Sequence, residues 1–285
     1  MCVIWGIPYL MIRVAVRELT PATLVFGRTA LGALILLPVA AWRGELGALR
    51  PYWRPLLAFA AIEIAAPWVL LATAEERVSS SLTGLLIAAV PLVGAAVTTV
   101  TGDDDRLGSR RLGGLLLGLV GVVALVGLDA KGTSAVAVLE IACVAVCYAV
   151  GPIVLVRWLS DLPSLGVIAV SLAVCAVGYA PVAAFQLPSS LPAGRVLLSV
   201  VGLAVICTAI AFLVFFELIA EVGPVRATVI TYINPAVAAL LGVTLLSESF
   251  TAGMGIGFAL VLAGSVLATR RNAAPDPRAL VATER

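Results

Sequence analysis

The chain has no histidine and few charges. Its 18 Lys and Arg and 16 Asp and Glu make up 12% of 285 residues. Without histidine, the commonest metal ligand and the side chain that titrates nearest neutral pH are both missing. Soluble domains carry about 25% charged residues, so this chain has too little polar surface to face water. A net charge of +2, with no basic run, offers no grip on nucleic-acid phosphates. There is no Walker A sequence, which excludes ATP as a direct fuel through a P-loop. The five cysteines are Cys2, Cys143, Cys147, Cys175 and Cys207. None forms a CxxC or Cys/His cluster, and all lie in apolar runs, so they read as small packing residues. No cofactor and no metal are expected. No basic n-region or small-residue cleavage site marks a signal peptide.

What is abundant is apolar length. Hydrophobic residues make up 62% of the chain. Residues 78–102, 196–216, 227–247 and 249–269 contain no charge, and 112–128 is a shorter uncharged run. Residues 162–194 are also uncharged, but Pro188 and Pro192 end that helix early. The runs 21–42, 55–74 and 132–156 carry one charge each, Arg28, Glu63 and Glu140. Transmembrane strands would alternate apolar and polar residues. These runs are continuously apolar, so they predict membrane helices, which satisfy their own backbone in lipid. Ten spans are expected, near 1–16, 21–42, 54–74, 79–101, 112–128, 134–157, 163–185, 196–219, 225–246 and 251–269. The first would be about 24 Å long at 1.5 Å per residue, short of the roughly 20 residues a span needs. This predicts a first helix that lacks some residues at its N-terminal end. The tail 271–285, with Pro275, Pro277 and mixed charge, is expected to be disordered.

Lys and Arg set the orientation. With a cytoplasmic N-terminus, the inner segments hold Arg43, Arg50, Arg54, Arg106, Arg110, Arg111, Arg157, Arg226, Arg270, Arg271, Arg278 and Arg285. The outer loops hold Arg13, Arg17, Arg77, Lys131 and Arg195. Twelve against five places both termini in the cytoplasm. Trp42, Trp53 and Trp158 flank inner loops, as interfacial anchors do.

Punctuation recurs at a shift of about 144 residues. Trp5-Gly-Ile-Pro8 through Arg13 precedes Tyr148 through Arg157 by that distance, and Val78 through Pro91 precedes Val222 through Pro235. Asp104 and Glu248 share the shift, each before a Gly-rich helix. This predicts two five-helix repeats, 1–130 and 131–270. Five is odd, so the second repeat crosses the membrane in the opposite sense, a plan used by secondary transporters.

The stretch Glu221-Val-Gly-Pro-Val-Arg-Ala-Thr-Val-Ile-Thr-Tyr-Ile-Asn-Pro235 resembles the EamA-type drug/metabolite transporter family. So do Leu240-Leu-Gly-Val, Leu246-Ser-Glu248-Ser-Phe-Thr251, Trp5-Gly, and Leu19-Thr-Pro21 before Arg28. The resemblance covers essentially the whole chain and implies a ten-helix exporter of metabolites, amino acids or drugs in an inner membrane. The chain departs from the family pattern in its short first helix, in Ser247, and in Asp103-Asp-Asp105.

Ionisable residues inside spans are costly and functional by default. Arg28 and Glu63 stand at comparable depth in adjacent spans, which predicts a substrate or proton-coupling site or else a structural ion pair between them. Glu140 and Glu217 lie near helix ends and are weaker candidates, better placed to reach solvent. Glu75, Glu76, Glu221 and Glu248 are expected to be solvated. Pro91 and Pro235, at matching places in the two halves, would break helices and free carbonyls near a site. Tyr232 and Asn234 could offer a hydroxyl and an amide. Trp5, Tyr9, Trp68 and Tyr148 could wall a cavity, or face lipid. Gly114-xxx-Gly118 and Gly253-xxx-Gly257 predict close helix packing, within the monomer or in a homodimer.

The expected partners are a small-molecule substrate and the lipid bilayer. The rival class is a membrane-embedded enzyme acting on a lipid or prenyl substrate, with Asp103-Asp-Asp105 as a Mg²⁺-diphosphate site. No second aspartate cluster accompanies it, and Arg110 and Arg111 stand beside it. A channel would need a ring of charges or a filter-like Gly loop, and neither is present.

Overall fold

A computed structural model describes residues 1–100, 108–127, 134–222 and 230–269. All regular structure among them is helical. In chain order the helices are α1 (Ile7–Ala15), α2 (Pro21–Trp42), α3 (Gly47–Glu75), α4 (Ser80–Thr99), α5 (Ser109–Gly127) and α6 (Ala135–Trp158). They continue with α7 (Ser164–Phe185), α8 (Gly194–Ile219), α9 (Ile230–Leu246) and α10 (Ala252–Thr269). Eight of them are long and apolar enough to cross a membrane, and α9 is a shorter apolar helix. Of the ten expected spans, α1 and α9 fall below that length. The expected disorder of the tail and the Asp103–Asp105 cluster lie outside the described residues.

Local chemistry sets the helix starts. Thr20, followed by Pro21, caps α2 by accepting from the Thr23 N–H at 3.3 Å. Ser79 caps α4 through the Leu82 N–H at 3.1 Å, and Thr251 caps α10 through the Met254 N–H at 3.1 Å. A side-chain oxygen at this position satisfies an N–H that the helix cannot.

The outer surface of the bundle is apolar. Leu34, Trp42, Val177, Phe185 and Leu198 stand out from it, with Phe185 92% exposed. Water would penalise so large an apolar face, and lipid would not.

Two helix pairs pack most closely, the first of them backbone to backbone. Gly114, Gly118 and Gly121 of α5 face Gly257 and Gly264 of α10. A Cβ on Gly264 would stand 2.6 Å from the Gly114 oxygen, and one on Gly121 would stand 2.6 Å from the Val261 nitrogen. The small-residue stripe is therefore filled within the chain. The second pair, α2 and α7, packs through Leu36, Val167 and Leu172.

Three helices depart from regular winding. Pro91 has no N–H to give, and α4 breaks just before it, at Ala88–Ala89, into tight turns (Ala89 N–H to Leu86 O, 3.0 Å). In α3 a π-turn spans Ala60–Ala65, ending two residues before Pro67. In α8 a π-turn spans Val205–Ile210. Such single turns insert one residue into a helix and often mark functional sites. Pro235, by contrast, lies buried within an unbroken α9, so the expected matching pair of helix breaks is realised at Pro91 alone.

Candidate functional site

The π-turns expose carbonyls that need donors; α7 supplies those of the α3 turn, and the α8 turn supplies its own. Tyr179 of α7 donates to the Ala65 carbonyl of the α3 turn at 3.0 Å, and Cys175 to that of Ala60 at 3.4 Å. In α8 the Thr208 hydroxyl donates to the Leu203 carbonyl at 2.8 Å. The same hydroxyl accepts from Arg28 Nε of α2 at 3.0 Å. Arg28 is thus tied to the irregular turn of the opposite half.

Arg28 is only 7% exposed. Its guanidinium lies over the Trp68 ring of α3, 3.5 Å from the centroid. A planar cation stacked on an indole face is electrostatically favourable, more so away from water. Tyr9 of α1, Tyr148 of α6 and Cys207 lie within electrostatic reach of Arg28, and Tyr148 also of Glu63. Tyr9 and Tyr148 share one apolar cluster with Leu71 and Val144. A cation and an acid therefore flank an aromatic wall where α1, α2, α3, α6 and α8 meet.

The expected Arg28–Glu63 ion pair is not formed. Arg28 spends its Nε on Thr208 and its face on Trp68. Glu63, inside the α3 π-turn, has a buried Oε2 with no hydrogen-bond partner among the described residues. It faces α6 at Gly151, where a Cβ would overlap the carboxylate and stand 3.0 Å from its Cδ. Glycine at that position leaves the acid its room.

The remaining expected residues are placed apart from this centre. Trp5 packs on Phe212 and Phe215 of α8, with centroids 6.1 and 4.7 Å away. Tyr232 pairs with Thr269 at 3.3 Å. The Asn234 amide nitrogen, oriented as its surroundings require, donates to the carbonyls of Ile230 (2.7 Å) and Cys2 (3.1 Å). Glu140 is held by Arg77 at 2.8 Å, and Glu217 is exposed.

Two acids expected to be solvated are not. Glu75 is fully buried, and neither carboxylate oxygen has a hydrogen-bond partner among the described residues. Arg13 donates to its backbone carbonyl instead. Glu248, in the α9–α10 turn, caps α4 of the other half. It accepts from Ser80 N (2.9 Å) and Oγ (3.0 Å) and from Ser81 N (2.9 Å) and Oγ (2.5 Å). An anion at a helix N-terminus meets both free N–H groups and the positive end of the dipole.

At that same end, Glu18 meets Arg195 at 3.5 Å and accepts from the Ala193 N–H at 2.8 Å. Thr20 meets Gln186 at 2.7 Å. With Arg77–Glu140 and Glu248–Ser80/Ser81, a polar seam joins the two halves there. At the opposite end, Glu45 accepts from the Gly166 N–H at 2.9 Å.

The profile of the EamA-like transporter family matches residues 1–127 and 135–270. The chain belongs to that family. This EamA-like protein is 27% identical over 273 residues to the Escherichia coli K12 protein named as an uncharacterized inner membrane transporter, YedA. The alignment spans 94% of this chain and 87% of that relative. The namesake proteins of E. coli O6:H1 and O157:H7 match equally. A protein solved by crystallography superposes with a TM-score of 0.67 at 23% identity, over 94% of this chain and 93% of its own, a likeness of fold. The EamA-like chain is a membrane transporter with multiple apolar helices.

Proposed function

We propose that this EamA-like protein is a secondary transporter that exports a small metabolite, amino acid or drug across the inner membrane by alternating access. The observation that carries the reading is Arg28, a buried cation in a span, held by Thr208 of one half and Trp68 of the other. A charge is kept there at considerable free-energy cost. Its setting, with Glu63 across Tyr148, suits a small molecule bearing an anionic group, a cationic group, or both. Arg28, Glu63, Tyr9, Trp68 and Tyr148 form the proposed substrate site. Trp5, Tyr232 and Asn234, and Pro235 beside it, stand apart from this centre, and Glu140 and Glu217 stay outside it.

The architecture in this proposal is ten spans in two inverted five-helix repeats, 1–130 and 131–270, with both termini cytoplasmic. Three observations support it. The family profile matches once in each half. Helix pairs recur when five is added to each number: α3 packs on α6 as α8 packs on α1, and α4 on α6 as α9 on α1. The π-turns of α3 and α8 occupy corresponding places in this scheme, and each accepts a hydrogen bond from the other half, the first at the Ala65 carbonyl and the second at the Thr208 hydroxyl.

The test is flux into proteoliposomes holding the purified protein, against a panel of labelled amino acids, nucleosides and cationic dyes, with and without a pH gradient. Saturable uptake with counterflow for at least one compound is the expected result. Linear, non-saturating flux would overturn the carrier reading.

A further inference from the structure

Glu75 is the one fully buried carboxylate among the described residues, and its two oxygens accept nothing there. Residues from three elements surround it. Tyr9 and Arg13 come from α1, with the Arg13 guanidinium engaged on the Glu75 backbone carbonyl. Glu248 comes from the α9–α10 turn and is engaged in capping α4. On its own element Glu76 follows, and Arg77 is paired with Glu140. A carboxylate stripped of water and of hydrogen bonds, with a second carboxylate nearby, is strongly disfavoured. A bound metal cation would need about six oxygen ligands, and both Glu248 oxygens are already committed to Ser80 and Ser81.

We infer that Glu75 binds a proton when this end of the carrier closes, and that closure of the Glu248–Ser80/Ser81 contact and protonation of Glu75 are linked. The inference rests on the alternating-access reading above. In the closed state the Glu75 O–H bond is intact and the side chain is neutral. When the halves part at this end, water reaches the carboxyl, takes its proton and solvates the anion. The anion must regain a proton before it can be buried again. Raising the pH therefore favours the open end and lowering it favours the closed end. The site takes a proton, which removes the buried charge, the costliest part of leaving this group without water.

Two measurements on the full-length protein in lipid nanodiscs test this. Infrared spectroscopy of the wild type should contain a protonated-carboxyl carbonyl stretch that shifts in D₂O and is lost in Glu75→Gln. Hydrogen exchange at the Ser80 and Ser81 amides, corrected for intrinsic rate, should lose protection as the buffer turns from mildly acidic to alkaline. In Glu75→Gln, which is neutral at every pH, protection should stay constant. If the Gln variant does not fold, labelling of the wild type with dicyclohexylcarbodiimide replaces it, since the reagent adds to protonated carboxyls. A label on the Glu75 peptide supports the inference, and its absence overturns it. A carbonyl band unchanged in Glu75→Gln, or one that vanishes on adding sodium, overturns the proton assignment. Neither measurement uses a transported substrate, so failure here is separable from failure of the transporter reading.

Discussion

Removing the Glu248 side chain should open one end of the bundle. Its carboxylate accepts four hydrogen bonds within 2.5–3.0 Å, two of them from the backbone N–H groups of Ser80 and Ser81. Both serines are fully buried, so Glu248→Ala leaves two backbone donors at the head of α4 without their protein acceptor. Hydrogen bonds to a charged group are worth about 1.5–3 kcal/mol each, and loss of a helix cap alone costs about 0.5–2 kcal/mol. The four bonds share one carboxylate and are not additive. A net loss of about 3 kcal/mol follows, or roughly a hundredfold shift between closed and open populations. The assay is hydrogen exchange of the peptide carrying Ser80 and Ser81, in nanodiscs. Protection should fall by that factor in Glu248→Ala. It should fall less in Glu248→Gln, which keeps one acceptor oxygen. Unchanged protection in Glu248→Ala would show that the contact does not hold the halves together, and the reasoning would fail.

Gly264→Ala should destabilise the protein by about 1–3 kcal/mol, as overpacking does, because the new methyl would stand 2.6 Å from the Gly114 oxygen; thermal unfolding in detergent reads this as a lowered midpoint. Gly151→Ala should displace the Glu63 carboxylate that occupies its face, raising KM for transport with a smaller effect on stability; an unchanged KM would remove Glu63 from the substrate site. A reporter fused after Thr269 should be active only if it is of the cytoplasmic kind, and a periplasmic signal would contradict the inverted-repeat architecture.

The central cluster was legible because the spans are so apolar. Against runs of Leu, Ala and Val, Arg28, Glu63, Trp68, Tyr9 and Tyr148 stand out, and four helices bring them together. Their partners were less legible. Arg28 and Glu63 looked like a pair because they are opposite charges in adjacent spans. Thr208, the actual partner of Arg28, is a small hydroxyl in an uncharged run and carries no local signal. The π-turn before Pro67 has a proline to announce it, whereas the one at Val205–Ile210 follows no breaker and depends on tertiary register. Glu75 and Glu248 depart from the solvated state expected of them for a shared reason. Acids at helix ends are usually solvated, but Glu75 is enclosed by α1 and the Glu248 turn, and Glu248 is engaged by Ser80 and Ser81 of the other half.

The central claim is that a substrate is bound at Arg28 and carried between the two faces. Counterflow in proteoliposomes with Arg28→Lys tests it most directly. Lysine keeps the charge but loses the planar face over Trp68 and the Nε donor to Thr208. The account predicts that exchange of a transported compound collapses in Arg28→Lys while the protein remains folded and inserted. Wild-type exchange rates in that variant would contradict it.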